Sequence, residues 1–191
     1  MKLLSVLLLF VMPFVVACSN VNQQQPQQNT VDTTTFFDVH TFFKNEIQQV
    51  QTTPYFIYSI FTNNNQQKDS TVIGNKDFAA IANEFAQIDI RSTNIRSAYV
   101  ENAFNDLTTK SVTLNYSTNR ADLPIKSIDV LLDNEKNTVK RIFVKSIQDN
   151  ADSSIIKQYS WKAGKSFLIT TTILTKQGTK YTNQRYVNWN E

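Results

Sequence analysis

The residue types on which most catalytic and metal sites depend are scarce in this chain. It contains one histidine, His40, and one cysteine, Cys18. A single histidine cannot build a histidine-based zinc site, and a Ser-His-Asp arrangement would have to use His40. The isolated glycines at positions 74, 164 and 178 cannot form a glycine-rich phosphate loop. We therefore predict no enzymatic activity, no catalytic residue, no metal site and no cofactor, and we interpret His40 as a partly exposed helix residue.

Two further pairs of residues have side chains that can bind ligands. Asp129 and Asp133 are four residues apart on a predicted strand, and paired carboxylates suit acid–base chemistry or calcium binding. They flank a turn, so we expect them to be solvated. Trp161 and Trp189 would stack on sugar rings if exposed, but core packing is the favoured interpretation. A carboxylate-based site is the enzymatic alternative that remains open.

Cys18 follows a segment with the organisation of a signal peptide. Lys2 provides a positive charge, Leu3 to Val16 is almost entirely apolar, and Ala17 is small. The apolar run is shorter than the ~20 residues that a membrane-spanning helix needs. The sequence Val15-Val16-Ala17-Cys18 resembles the lipobox of bacterial lipoproteins, with Val15 in place of the usual leucine. The resemblance implies cleavage after Ala17 and lipidation of Cys18; the alternative is an ordinary signal peptide that ends near a cysteine.

These features divide the chain into three predicted segments. Residues 1–17 are the signal peptide, 18–31 the lipidated cysteine and a tether, and 32–191 a single globular domain. The tether, SNVNQQQPQQNTV after Cys18, is uncharged and has too few apolar residues to pack a core. As a flexible coil it would span ~20 Å.

The composition and net charge of the chain limit the kinds of partner that we expect. Hydrophobic residues make up 41% and charged residues 18%, as in globular proteins. With 19 Lys plus Arg against 16 Asp plus Glu, the net charge is +3. This near balance gives no electrostatic reason to expect nucleic acid as a partner.

Two segments have apolar residues at helical spacing. The run TTFFDVHTFFKNEIQQVQ predicts a helix capped by Asp32 or Thr33 and ended by Pro54. Its apolar stripe comprises Phe36, Val39, Phe43, Ile47 and Val50, with Phe37 and Phe42 widening it. A second helix follows Gly74, with Asn75 as its predicted cap and an apolar face of Phe78, Ile81, Ala82, Phe85 and Ile88.

The remaining segments favour β-strands. A hairpin is predicted from Tyr55 to Phe61 and Ser70 to Ile73. After the second helix, alternating segments predict Arg96–Phe104, Ser111–Ser117, a strand around Ile128–Leu132, Val139–Ile147, Ser154–Trp161, Phe167–Leu174 and Tyr181–Trp189. Short connections join the last five strands, which indicates an antiparallel meander. Gly164 and Gly178 are predicted to supply positive φ in two turns.

The alternation also predicts the two faces of the meander. One face, expected to receive both helices, would carry Ile128, Val130, Leu132, Ile142, Val144, Ile155, Tyr159, Trp161, Phe167, Ile169, Ile173, Tyr181, Val187 and Trp189. The other face would carry Phe143, Ile156, Leu168, Leu174 and Tyr186. Either the sheet curls into a half-open barrel that covers them, or this face binds something. The predicted fold is α+β, with two helices on a curved antiparallel sheet.

The order of elements resembles that of small cell-envelope lipoproteins of the Bacteroidota. The segments FFDVHTFFKNEIQQVQ and DSTVIGNKDFAAIANEFAQIDI, and the passage from Asp89 to Tyr99, carry the resemblance. It implies an outer-membrane location. The group has no agreed activity, so the resemblance implies none for this chain. In such proteins acidic residues soon after the lipidated cysteine tend to mark surface export, and none precedes Asp32. The resemblance therefore implies an anchor that faces the periplasm.

Two functional hypotheses follow from these observations. The favoured one is a membrane-anchored module that binds an apolar or amphipathic ligand such as a lipid, because aromatic residues are abundant on both predicted sheet faces and on the first helix. The alternative is a structural or interaction protein that docks on another envelope protein. A looser architectural likeness to periplasmic lipoprotein carriers, which cup acyl chains in a half-open barrel, is an analogy without a supporting motif.

Overall fold

The computed structural model describes residues 36–190, so Cys18 and the predictions for segments 1–17 and 18–31 lie outside them. Within this range there are two α-helices, α1 (Val39–Thr52) and α2 (Asn75–Ala86). The strands are β1 (Ile57–Thr62), β2 (Lys68–Ile73), β3 (Val100–Asp106), β4 (Ser111–Ser117), β5 (Ile125–Asp133), β6 (Val139–Asp149), β7 (Ser153–Lys162), β8 (Ser166–Thr175) and β9 (Lys180–Asn188).

All nine strands belong to one antiparallel sheet. Their order is β2-β1-β9-β8-β7-β6-β5-β4-β3, so β3 to β9 run as a meander and the β1–β2 hairpin pairs beside β9. β2 and β3 are the two ends of this order, which leaves the sheet open. The predicted α+β class, with two helices and an antiparallel sheet, is confirmed.

The first helix begins later than the sequence pattern predicts. Asp38, and not Asp32 or Thr33, precedes its first turn, and its carboxylate accepts the N–H of Thr41 at 3.0 Å. A carboxylate there satisfies an otherwise unpaired N–H and suits the positive end of the helix dipole. The predicted end is confirmed, because Thr53 is already extended before Pro54.

The second helix also begins differently from the prediction. Gly74 occupies the capping position, and Asn75 is the first helical residue. The side-chain amide of Asn75 donates instead to the carbonyl of Gln51 at 2.8 Å. This bond links the start of α2 to the end of α1, which explains why the polar side chain does not cap its own helix.

Most predicted strands agree with the structure to within two residues, and Gly164 and Gly178 have φ of 66° and 84° as predicted. The segment predicted to open with Arg96 is different. Arg96–Ala98 form a 3-10 turn, and β3 starts only at Val100. Tyr99 accounts for the delay, since its ring is buried and its hydroxyl donates to the carbonyl of Ile125 at 2.8 Å.

Aromatic side chains fill the space between the helices and the sheet. Phe43 of α1 and Phe85 of α2 lie 5.2 Å apart between ring centroids, and both contact the indole of Trp161. Phe167 stacks on Trp161 at 5.2 Å. Edge-to-face and offset ring pairs of this kind stabilise a core beyond the area they bury. The layer that a deep ligand cavity would occupy is therefore packed with side chains at this point.

The helices cover only one end of the meander. Ile128, Val130, Ile142, Val144, Tyr159, Trp161, Phe167, Ile169, Val187 and Trp189 are buried, as predicted. Tyr181, however, is 47% exposed, and Ile155 and Ile173 are only half-buried. The register places these three on the predicted face, but the helices do not extend over them, because β7 has 10 residues, or about 33 Å, whereas the 12-residue α2 is about 18 Å long.

Candidate functional site

A cleft of about 510 Å³ opens where the helix layer ends. Helix α2 forms one wall with Asp77, Ala80, Ile81 and Glu84. The inner face of the sheet, the face that carries the helices, forms the floor with residues of β1, β8 and β9: Phe61, Ile169, Thr171, Asn183 and Arg185. The cleft thus joins aliphatic and aromatic surface to charged and amide groups, which suits an amphipathic ligand.

The strand register explains this mixture. Across the inner face, Tyr159, Ile169, Arg185 and Phe61 form one row of paired residues. The next row contains Lys157, Thr171 and Asn183. The inner face therefore changes from apolar to polar over two rows, and the cleft lies at that change.

Arg185 is the cation on the floor of the cleft. One guanidinium nitrogen donates to Ser59 Oγ at 3.2 Å, and the guanidinium carbon lies 5.1 Å from the centroid of the Phe61 ring. Ser59 itself is 1% exposed. These two contacts hold a half-buried guanidinium in one place, since an arginine stacked on an aromatic ring loses conformational freedom.

Glu84, on the α2 wall of the cleft, belongs to a three-residue network. The ammonium of Lys157 donates to Glu84 Oε2 at 2.6 Å, and the hydroxyl of Tyr159 donates to the same oxygen at 3.2 Å. Burial, assisted by the charge of Glu84, raises the pKa of Tyr159 above its ordinary value. Tyr159 therefore remains a protonated donor. The negative charge of Glu84 is balanced within the fold by the ammonium of Lys157.

A second groove, of about 440 Å³, lies on the outer face of the sheet. Phe143, Lys145, Gln158 and Leu168 contribute to its walls. Phe143 is 41% exposed, with the guanidinium of Arg141 5.6 Å from its ring centroid. Leu174, another residue of the predicted second face, is exposed to the same extent, while Ile156, Leu168 and Tyr186 are half-buried. No described helix covers this face.

The structure separates the two aspartates that were considered as a pair. Asp129 accepts a hydrogen bond from the Asn115 side chain at 2.6 Å, whereas Asp133 accepts the N–H groups of Glu135 and Lys136 in the turn after β5. The bond from Lys136 contributes most to holding the pKa of Asp133 below its ordinary value. Each carboxylate thus has its own structural role.

The other candidate residues are accounted for individually. Trp161 and Trp189 are buried, which supports the core interpretation over sugar stacking. His40 is half-buried on the first turn of α1, as expected for a helix residue. Among residues 36–190, no group of three or more His, Cys, Asp and Glu side chains is placed to hold a metal ion, and no helix is long and apolar enough to cross a membrane.

Comparison with known proteins adds no functional information. No protein-family model, no curated protein and no solved structure matches this chain. The resemblance to envelope lipoproteins of the Bacteroidota therefore stays a prediction based on the quoted segments.

The sequence reasoning missed Arg185, Ser59 and Phe61, which lie on two strands far apart in the chain. A local signal for this site was nevertheless present. Counting back by twos from Trp189 and Val187 places Arg185 and Asn183 at inward positions of β9. Polar residues in an otherwise apolar inward stripe indicate where a sheet face stops being covered.

Proposed function

We propose that this chain is a lipid-anchored envelope module that binds an amphipathic ligand, without catalysis, in the cleft between α2 and the inner face of the sheet. The observation that carries the proposal is the cleft itself, which combines an aliphatic wall at Ile81 and Ala80 with a fixed cation at Arg185. In this proposal the sheet acts as a half-open trough and α2 as one of its walls.

The predicted anchor supports the same proposal. A diacylated Cys18 would attach the domain stably to a membrane, because two acyl chains are enough for lasting insertion. A tether that spans ~20 Å would keep the cleft close to the lipid surface. An outer-membrane anchor facing the periplasm would give the domain access to lipids and other amphipathic molecules of that compartment.

Partly filling the cleft should weaken ligand binding. N-phenyl-1-naphthylamine, an uncharged apolar fluorophore, should bind the wild-type domain with increased emission. Ile81→Trp, on the aliphatic wall, fills part of the cleft with an indole and should weaken binding about tenfold or more, equivalent to about 1.4 kcal/mol. Fluorescence titration measures the effect, and circular dichroism verifies the fold.

Val72→Trp is the matched control, because Val72 is an exposed aliphatic residue outside the cleft. It should bind the fluorophore as the wild type does. A wild type that does not bind, or a folded Ile81→Trp variant with unchanged affinity, would overturn the proposed site.

Removing the acceptor cysteine should release the protein from the membrane. Expressed with its signal sequence in a bacterial host, the Cys18→Ser variant should move from the membrane fraction to the soluble periplasmic fraction, because one hydroxyl cannot replace two acyl chains. Fractionation followed by immunoblotting measures the shift. Ser19→Ala, one residue further along, is the control and should remain in the membrane fraction. Identical fractionation of Cys18→Ser and wild type would refute the anchor.

The outer groove supports docking on an envelope protein as a second candidate function. The observation that supports this second function is the exposed Phe143 ring, on a sheet face that no described helix covers. Under this alternative, Phe143→Asp would abolish crosslinking of the anchored domain to a neighbouring envelope protein and leave fluorophore binding unchanged. Loss of fluorophore binding in Ile81→Trp with unchanged crosslinking would instead favour the cleft.

A further inference from the structure

The charges around the cleft are not all compensated to the same degree. Glu84 has both an ammonium and a phenol as partners. Asp77 lies in the first turn of α2, where the helix dipole favours a carboxylate. Arg185, in contrast, has no carboxylate within ion-pair distance among residues 36–190. Its contacts are a neutral hydroxyl and an aromatic ring.

This arrangement leaves a positioned cation without a counter-charge. A partly desolvated guanidinium is stabilised by an anion that satisfies its remaining N–H groups, and a carboxylate or phosphate matches its fork of donors. Two other arginines of the described chain, Arg91 and Arg120, pair with aspartates. Arg185 faces the cleft instead, where a ligand can supply the missing charge.

We propose that Arg185 binds the anionic head of the amphipathic ligand, a carboxylate or a phosphate on a single apolar chain. The inference rests on the proposed function and names the ligand class of the same cleft. Asp77 and Glu84 repel an anion from the α2 side, so the head lies on the strand side, over Arg185. The apolar chain then packs along Ile73 and Ile81, which line the same cleft.

Four ligands with the same ten-carbon chain test this assignment: decanol, decanoate, decyl phosphate and decylammonium. Each displaces N-phenyl-1-naphthylamine from the full domain at neutral pH, below its micellar concentration. The wild type should bind decanoate or decyl phosphate about tenfold or more tightly than decanol, as expected for hydrogen bonds to a charged group, and should bind decylammonium most weakly. Preference for decanoate indicates a fatty acid, and preference for decyl phosphate indicates a phospholipid-type head.

Arg185→Gln should remove this preference, so that the variant binds decanoate and decanol with similar affinity, since the amide keeps polarity but not charge. Arg141→Gln is the matched control, because Arg141 also lies over a phenylalanine ring, on the opposite face of the sheet. It should keep the full preference. Arg185→Lys retains the charge but not the donor fork, so it should keep part of the preference for an anionic head. It replaces the glutamine variant in the test if that variant does not fold.

The outcomes separate the two proposals. If the fluorophore does not bind the wild type, the cleft is not a ligand site and both proposals fail. If decanol and decanoate bind equally to the wild type, or if Arg185→Gln keeps the preference, the anion assignment fails while the cleft remains. Tighter binding of decylammonium than of decanoate would show that Asp77 and Glu84 dominate and would also overturn the assignment.

Discussion

Replacement of Phe43 by alanine is expected to lower the free energy of unfolding by about 3–5 kcal/mol, the range for truncating a core phenylalanine. Phe43 is 0% exposed, and its ring contacts Phe85 of the other helix and Trp161 of the sheet. The residue therefore joins all three parts of the core, and rigid neighbouring rings cannot close the cavity that truncation leaves. Urea unfolding followed by circular dichroism measures the change.

The control is Phe56→Ala, which removes the same atoms from a side chain that is 78% exposed. A change within about 0.5 kcal/mol is expected there, as for most surface substitutions. If α1 were a lid over a ligand cavity, Phe43→Ala would cost less than about 1 kcal/mol in the empty domain and would instead weaken fluorophore binding. That pair of results would contradict the packed core between the helices and the sheet.

Most of the strands could be predicted from the sequence because alternating or β-branched and aromatic segments are bounded by turn residues. The predicted segment Ser111–Ser117 coincides with β4, and Gly164 and Gly178 mark two turns by their positive φ. The starts of the helices were harder to predict, because several polar residues near each start are able to cap it. At α1 the cap is Asp38, whose carboxylate accepts the N–H of Thr41, an amide of the first turn that has no partner within the helix.

The cleft was not predicted because its position depends on how far the helix layer extends over the strands. Alternation assigns Ile155, Ile173 and Tyr181 to the inner face but contains no information about their coverage. The site residues also come from separate elements: Arg185 of β9 meets Ser59 of β1 only after the hairpin pairs beside the last strand. Such a contact between distant segments has no signature in a single sequence.

Glu46 is a second residue whose importance emerges only from the fold, and Glu46→Ala is expected to destabilise the domain by about 2–3 kcal/mol. One carboxylate oxygen accepts the indole N–H of Trp161 at 3.1 Å and the backbone N–H of Gly164 at 2.6 Å. Glu46 thereby attaches α1 to the turn between β7 and β8. Truncation leaves the N–H of the fully buried Trp161 without its acceptor, which is why the expected cost exceeds that of losing an exposed charge.

Two further variants distinguish the stability lost with the hydrogen bonds of Glu46 from the stability lost by truncating any side chain of α1. Glu46→Gln retains a carbonyl oxygen that can accept both bonds, so its expected loss is only about 1 kcal/mol, the part that charge assistance adds. Gln48→Ala truncates an exposed side chain of the same helix and should change stability by less than about 0.5 kcal/mol. Urea midpoints rank the three variants. If Glu46→Ala were no more costly than Gln48→Ala, the carboxylate would not hold the β7–β8 turn on α1, and Trp161 would depend on ring packing alone.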